Sequence, residues 1–500
     1  MSDEGYILAI DQGTTGSTAL LFDKKGQVIS HSYREIRQIY PKPGWVEHDP
    51  QEIFRSCLAV AEEAIKKAGV PLKTVKGLGI TNQRETSVVW ERSTGQPVHN
   101  AVVWQCRRTA PLCEDLKQKG EEPTIKQKTG LPVDAYFSGT KIRWILDSAP
   151  DLQRRAERGE LLCGTIDTWL VWNLTGGKAH VTDYSNASRT MLFNIKSLQW
   201  DKDLLEMLNI PKVMLPEVLP SSMIYGETGD GIFGGSHIPV AGIAGDQQAA
   251  LFGQSCYEKG MAKNTYGTGS FVLVNTSDDP VFSSKGLITT LAWGLNNNIA
   301  YAMEGSIFIT GAAIQWLRDG LGIIKNAAES ETLARSVPDN GGVYFVPAFV
   351  GLGAPYWDMY ARGTIVGITR GSTSGHLARA ALEAIAFQSR DIVDAIRDEA
   401  NLVIPVLRVD GGGSANDLLM QFQADILGIP IQRAQIAETT ALGAAHLAGL
   451  AVGQWSDTAE IGRYWKSSAT YEPKMSADER ETLYSDWQRA VERSTGWVQK

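Results

Sequence analysis

VAGIAGDQQAALFGQ, Val240 to Gln254, is the stretch whose reading decides the fold. Val240, Ile243 and the small residues between them predict a short buried strand. The Gly245-Asp246 turn ends that strand, and Gln247 to Phe252 continues as a small-residue helix. An Asp at such a turn can cap free backbone N–H groups. It can equally hold a carboxylate at the end of a strand, where α/β proteins place their chemistry.

The flanks point to the second possibility. Downstream, Asn264-Thr-Tyr-Gly-Thr268-Gly-Ser270 runs directly into a strand from Phe271 to Val274. Upstream, the strands Tyr6–Ile10 and Thr18–Phe22 are joined by Asp11-Gln-Gly-Thr14-Thr15-Gly16-Ser17. Glycine lets a backbone approach a phosphate, and threonine hydroxyls and turn amides donate to it. Either hairpin alone is an ordinary turn, but the pair suggests a duplicated α/β domain whose halves face each other across a phosphate.

Between these landmarks the chain reads as alternating strands and helices. Asp49-Pro-Gln-Glu is a helix start, with an N-cap, a proline at the first position and an acid in the first turn. Val75 to Ile80 is a strand that delivers Asn82-Gln-Arg84-Glu85 at its carboxyl end. Arg there can donate to hydroxyls and Glu can accept from them, or the two can simply pair. Trp104 and Tyr136, taken singly, are more often core than ligand contacts. A helix is expected over Ile307–Leu317, with Gly311 and Gln315 one turn apart on one face. The strand Val406–Val409 ends in Asp410-Gly-Gly412-Gly-Ser-Ala-Asn416 before a helix from Asp417 to Leu427. The triple glycine would let a flat nucleoside lie on the backbone, with Ser414 as the expected cap. Thr439 to Ala451 is a small-residue helix suited to close packing. Gly229-Asp-Gly231-Ile-Phe-Gly234 matches a dinucleotide fingerprint on paper, but it is expected to follow no strand and open no helix. No P-loop sequence occurs.

Composition narrows the function classes. The 500 residues are 43% apolar and 8% aromatic, as in a globular chain with more than one domain. Lys and Arg number 48 against 56 Asp and Glu, a net charge of -8 that argues against a nucleic-acid partner. Five scattered cysteines and seven dispersed histidines match no zinc spacing and suit reduced thiols, hence a cytoplasmic location. The start, Met1 through Asp3 and Glu4, lacks the basic region of a secretory signal, and no apolar run is long enough for an integral membrane segment.

Taken in order, Asp11-Gln-Gly-Thr-Thr, Asn82-Gln-Arg-Glu-Thr, Tyr136-Phe-Ser-Gly-Thr-Lys-Ile-Arg-Trp, Gly245-Asp-Gln-Gln-Ala-Ala-Leu-Phe-Gly, Phe345-Val-Pro-Ala-Phe-Val-Gly-Leu-Gly-Ala-Pro-Tyr-Trp-Asp and Met420-Gln-Phe-Gln-Ala-Asp closely resemble the FGGY carbohydrate kinases. The resemblance covers nearly the whole chain. It implies two ribonuclease-H-like domains of the actin and sugar-kinase type facing across a cleft, residues 1–253 and 254–500. It also implies ATP-dependent phosphorylation of glycerol to sn-glycerol 3-phosphate, the first step of glycerol catabolism. Carried over by position, Arg84, Glu85, Tyr136, Asp246 and Gln247 would contact glycerol, with Trp104 and Phe271 walling its carbons. Thr14, Thr15, Gly16, Thr268, Gly311, Gln315, Gly412 and Asn416 would hold ATP, and Asp11 and Asp246 would hold Mg²⁺. Asp246 is the expected general base. A homodimer or homotetramer is implied as well.

Three positions depart from the family pattern. Position 18 is Thr where Arg is common, which removes a guanidinium from the phosphate site. Gly231-Ile-Phe-Gly-Gly-Ser-His237 lacks the basic residues by which some relatives bind fructose 1,6-bisphosphate, so that regulation is expected to be absent or weak. Ser467 to Pro473 does not resemble the surface that binds a sugar-transport regulator in some bacteria.

Overall fold

Two mixed sheets of matching topology make up the frame. The computed structural model describes residues 5–296 and 298–498; the expectation drawn from Met1, Asp3 and Glu4 lies outside them. In the first half the strands are β1 (Tyr6–Gln12), β2 (Gly16–Phe22), β3 (Val28–Glu35), β4 (Val75–Asn82), β5 (Ser222–Glu227) and β6 (Pro239–Gly245). They lie in the order β5-β6-β4-β1-β2-β3. In the second half they are β7 (Ala262–Tyr266), β8 (Ser270–Ser277), β9 (Ile288–Leu295), β10 (Asn298–Ile307), β11 (Leu407–Asp410), β12 (Ile431–Ala434) and β13 (Ser467–Tyr471). Their order is β9-β10-β8-β7-β11-β12-β13.

Overlaid, β1 corresponds to β7, β2 to β8, β3 to β10, β4 to β11, β6 to β12 and β5 to β13. Each sheet opens with an antiparallel hairpin, β1–β2 or β7–β8. Each adds two parallel strands and closes on an antiparallel edge. The duplication expected from the two Gly/Thr hairpins is therefore present in the strand order, with β9 as an addition.

Parallel strands must be covered on both faces, and the alternation along β1 shows how this is done. Leu8 and Ile10 join Ile53, Cys57, Val60 and Ala61 of helix α1 (Pro50–Ala68) in one core. Asp49 caps that helix, accepting from the Gln51 amide at 2.8 Å. Ile7 and Ala9 face the other way, onto Leu442, Ala444 and Ala445 of a helix from the far end of the chain, Thr439–Ala451. A Cβ at Gly79 of β4 would lie 2.2 Å from the Ala444 carbonyl oxygen, so only glycine permits so close an approach. The closely packing small-residue helix of the second half thus belongs to the first sheet. A four-stranded sheet of Glu47–His48, Ala101–Val102, Ser87–Glu91 and Leu161–Thr165 is inserted in the first half and has its own core.

Local expectations failed at four points. β10 runs on through Ile307, and the helix expected over Ile307–Leu317 is α3, Gly311–Asp319, because residues 301–307 keep their pairing with β8 to the end. Asp246 does not cap the central helix α2 (Asp246–Gly253): Gly245 holds the cap position and Asp246 is its first residue. Asn416, not Ser414, caps the helix Asp417–Leu427, accepting from the Leu419 amide at 2.9 Å, because Ser414 is turned back onto the Gly411 carbonyl. The Gly229–Gly234 pattern does follow a strand, β5, but only the short turn Phe233–Gly235 comes after it. All five cysteines are free and buried, and no helix among the described residues is long and apolar enough to cross a membrane.

Candidate active site

Register brings three strand ends to one level. Asp11 and Gln12 of β1 lie beside Thr81 and Asn82 of β4, and Ala244 and Gly245 of β6 lie on the other side of the same two residues. Because these strands are parallel, Asp11, the Arg84-Glu85 turn and Asp246 all emerge at the carboxyl edge of the sheet. The corresponding edge of the second sheet carries the Gly267–Gly269 hairpin and the Gly411–Gly413 turn.

A buried charge cluster organises the first edge. Arg84 donates to both carboxylate oxygens of Glu304, at 2.5 and 3.2 Å, and to Gln248 Oε1 at 3.2 Å. Its Nε lies 3.2 Å from Asp246 Oδ1. Arg189 bridges Glu85 at 2.7 Å and Glu304 at 3.0 Å. Burial pushes the Glu304 carboxyl up, but the Arg189 and Arg84 guanidiniums overcome this and hold it at about 2. Glu85 has φ 61°, a left-handed backbone that a Glu adopts only when its surroundings impose it. Its carbonyl accepts from Ser87 and Ser138 at 3.1 Å each. Tyr136 reaches Arg84 at 3.5 Å and packs edge-on to Trp104, with ring centroids 5.5 Å apart. Phe271 lies under the Arg84 guanidinium, 5.8 Å from ring centre to its carbon. Arg84, Glu85, Trp104, Tyr136, Asp246 and Phe271 are therefore one contiguous group, joined by Gln247 next in the chain.

Asp246 is the open member of this group. Its Oδ1 accepts from the Gln247 amide at 2.7 Å and faces Arg84, while the side chain stays 31% exposed. Asp11 makes no salt bridge among the described residues, and burial followed by repulsion from Asp246 raises its carboxyl to about 7. Two carboxylates that repel one another are a hard-oxygen donor set that fits Mg²⁺. No group of three or more His, Cys, Asp or Glu suited to a metal occurs among the described residues, so phosphate and water would have to complete the shell. Thr18 sits opposite Asp11 in the β1–β2 ladder, so its short hydroxyl shares that carboxylate's face.

The two hairpins close alike: the Gly13 amide donates to the Gly16 carbonyl at 2.9 Å, and the Gly267 amide to the Gly269 carbonyl at 2.8 Å. Thr14 and Thr15 occupy the first turn, and Thr14 Oγ1 accepts from Trp104 Nε1 at 2.8 Å. Thr268 occupies the second, tied to the start of α3 by Gly311 donating to the Gly267 carbonyl at 3.0 Å. Gln315 follows one turn along α3 with an exposed side chain. Gly411, at φ 80°, lies against this hairpin: a Cβ there would come 2.4 Å from the Tyr266 carbonyl oxygen. Gly412 beside it is exposed and has nothing within 4 Å of its Cβ position, so the surface of the turn is open there. Asn416 has its oxygen committed to the helix cap, and its Nδ2 lies 3.5 Å from Ser330. The candidate nucleotide residues thus form two sets, one around each hairpin.

Three residues of the site were missed in the sequence: Arg189, Glu304 and Lys263. The available signal for Glu304 was a charge inside an apolar strand, Ala-Met-Glu304-Gly, where no surface position is expected; Arg189 lies outside any strand and carried no such signal.

Paired sheets with matched Gly/Thr hairpins and an acid between them define the two-domain α/β sugar-kinase fold. The structure superposes on xylulose kinase from Lactobacillus acidophilus with a TM-score of 0.89 at 23% identity, covering 98% of this chain and 97% of that one. The N-terminal domain of the FGGY family of carbohydrate kinases matches residues 6–253 and its C-terminal domain residues 262–452, so the chain belongs to that family. It is 61% identical to glycerol kinase 2 of Thermotoga maritima over 99% of this chain and 100% of the relative. It is 58% identical to glycerol kinase of Symbiobacterium thermophilum over 99% of both. Plasmodium falciparum glycerol kinase, solved with ADP, superposes with a TM-score of 0.94 at 37% identity, covering 99% of each chain.

Proposed function

We propose that this chain transfers the γ-phosphoryl group of ATP to a terminal hydroxyl of glycerol, giving sn-glycerol 3-phosphate. The observation that carries the reading is the arrangement at Asp246, one oxygen of which is tied back to Arg84 and the Gln247 amide while the side chain stays open to the cleft. In this reading residues 1–253 bind glycerol and residues 254–500 bind the nucleotide, with the helix Thr439–Ala451 returning to the first sheet.

The two hairpins donate amides and hydroxyls to the phosphate chain, and the open surface of the turn at Gly412 takes the nucleoside. Arg84 and Glu85, fixed by Glu304 and Arg189, offer a donor and an acceptor to the polyol hydroxyls. Trp104 and Phe271 exclude water from its carbons. Asp246 accepts the hydroxyl proton. A carboxylate is a weak base for an alcohol, but phosphoryl transfer passes through a loose transition state in which the proton leaves late, so a base that orients the hydroxyl suffices. Mg²⁺, held by Asp11 and Asp246, supplies neutralisation of phosphate charge when bound.

The test is an ATP-coupled assay across glycerol, dihydroxyacetone, erythritol and xylulose, with Asp246→Asn alongside. Glycerol is expected to have the highest kcat/KM, and Asp246→Asn to lose at least the ~10²-fold typical of a general base. Near-normal turnover by that variant, or preference for a longer substrate, would remove the assignment.

A further inference from the structure

The first strand of the second sheet sends a lysine into the opposite half of the site. Lys263 of β7 is 0% exposed, and its ammonium donates to Gln247 Oε1 and, at 2.9 Å, to Thr265 Oγ1. It forms no salt bridge among the described residues, and burial pulls its ammonium down to about 8, although Asp410, Asp246 and Glu304 partly offset this by favouring the charge. Burying an ammonium is costly unless its donors are used, so the contact with Gln247 requires a reason beyond space filling.

The chemistry of the contact supplies one. An ammonium has donors and no acceptor, so the Gln247 atom facing it must be the carbonyl oxygen. The amide is thereby fixed in one of its two orientations. Its Nε2 points away from Lys263 and has no hydrogen-bond partner among the described residues. Gln247 directly follows Asp246 at the start of α2, so the free donor belongs to the same helical turn as the open carboxylate. Thr265, the second acceptor, stands three residues before Thr268 of the phosphate hairpin.

We propose that Lys263 is a positioning residue for polyol binding, locking the Gln247 amide with Nε2 as the donor to a substrate hydroxyl and tying that donor to the strand that carries the second phosphate hairpin. The inference rests on the glycerol reading above. Without the lysine, the amide is free to rotate and to present its carbonyl, which would meet a polyol hydroxyl beside the Asp246 carboxylate with an acceptor where a donor is needed.

A double-mutant cycle on the full-length enzyme separates this role from a structural one. Turnover of glycerol by the unmodified chain comes first, and its absence would fail the glycerol reading without bearing on Lys263. Lys263→Met, which fills the same space, is expected to raise the glycerol KM roughly tenfold or more, the equivalent of losing a hydrogen bond to a charged group, with the ATP KM little changed. In a Gln247→Ala background the same substitution is expected to add less than about twofold, because the interaction it removes is already gone. An unchanged glycerol KM in Lys263→Met, or an equal rise in both backgrounds, would overturn the proposal. Lys263→Gln carries the same cycle if the Met variant does not fold, since its neutral amide cannot enforce the orientation of a second amide.

Discussion

Glu304→Gln probes the charge that holds the Arg84–Arg189 cluster together. The amide keeps the shape and one acceptor oxygen, removes the negative charge and turns the other acceptor into a donor that faces a guanidinium. The guanidiniums hold the Glu304 carboxyl at about 2 against an ordinary 4.5, which at about 1.4 kcal/mol for each pH unit corresponds to roughly 3 kcal/mol of stability. A second route agrees: removing one partner of a buried ion pair costs about 3–5 kcal/mol. With an unfolding entropy of about 2.1 cal/mol/K per residue, the 500-residue chain melting as one unit would lose about 3 °C in Tm, and about twice that if the halves melt separately.

The pH dependence has a definite sign. A depressed carboxyl contributes stability that is present above its ordinary pKa and is lost as pH falls through the folded value. The Tm gap between the unmodified chain and Glu304→Gln should therefore be full above about pH 5 and more than half closed by about pH 3. Thermal melts across that range read both quantities. The glycerol KM should also rise, because Arg84, facing an uncharged amide at position 304, is left with Asp246 and Glu85 as its carboxylate neighbours. A Tm within about 1 °C of the unmodified chain at neutral pH, or a gap that persists at about pH 3, would refute the reasoning.

The Gly411–Gly412 turn separates strain from occlusion. Gly411→Ala is expected to lower Tm, since its Cβ meets the Tyr266 carbonyl at positive φ, whereas Gly412→Val is expected to leave Tm in place and raise the ATP KM by putting a side chain on the surface proposed for the nucleoside. Measuring Tm and ATP KM for both checks this, and equal effects from the two would refute it. Trp104→Phe keeps the apolar wall and removes the hydrogen bond to Thr14. Losing a bond of about 1 kcal/mol should raise the KM of glycerol and ATP together by roughly fivefold. A change confined to glycerol would mean that the indole does not link the two sites.

The duplicated fold was legible because each half repeats a turn chemistry, Gly and Thr between two apolar strands, and because the strand after β3 in each half ends in residues with no packing role. Arg84, Glu85 and Asp246 could be picked out for the same reason: strand ends in such sheets are where polar side chains are not needed for the core. What escaped was anything set by pairing across the two halves. Nothing local marks Glu304 as the partner of Arg84, 220 positions away, or Lys263 as the partner of Gln247. The extent of β10 was missed because Ile307 is apolar in either a strand or a helix, and its hydrogen bonds to β8 decide the matter. The capping role of Asn416 was missed because Ser414 is an equally good cap by type, and only the backbone path assigns it elsewhere.

The helix Thr439–Ala451 makes the order of synthesis matter. Until the chain has been made as far as that helix, the face of the first sheet formed by Ile7, Ala9, Leu20, Phe22 and Ala241 has no cover. A nascent chain would present that bare apolar sheet while some 200 further residues emerge, at ~5–20 residues per second, for about 10–40 s. A fragment cut at the apparent boundary near residue 253 would keep every strand of the first sheet and still lack one of its walls. Such a piece is expected to aggregate when expressed alone and to be rescued by a linked copy of the helix, so the boundary that divides this chain into two domains is not a place where it can be divided into two proteins.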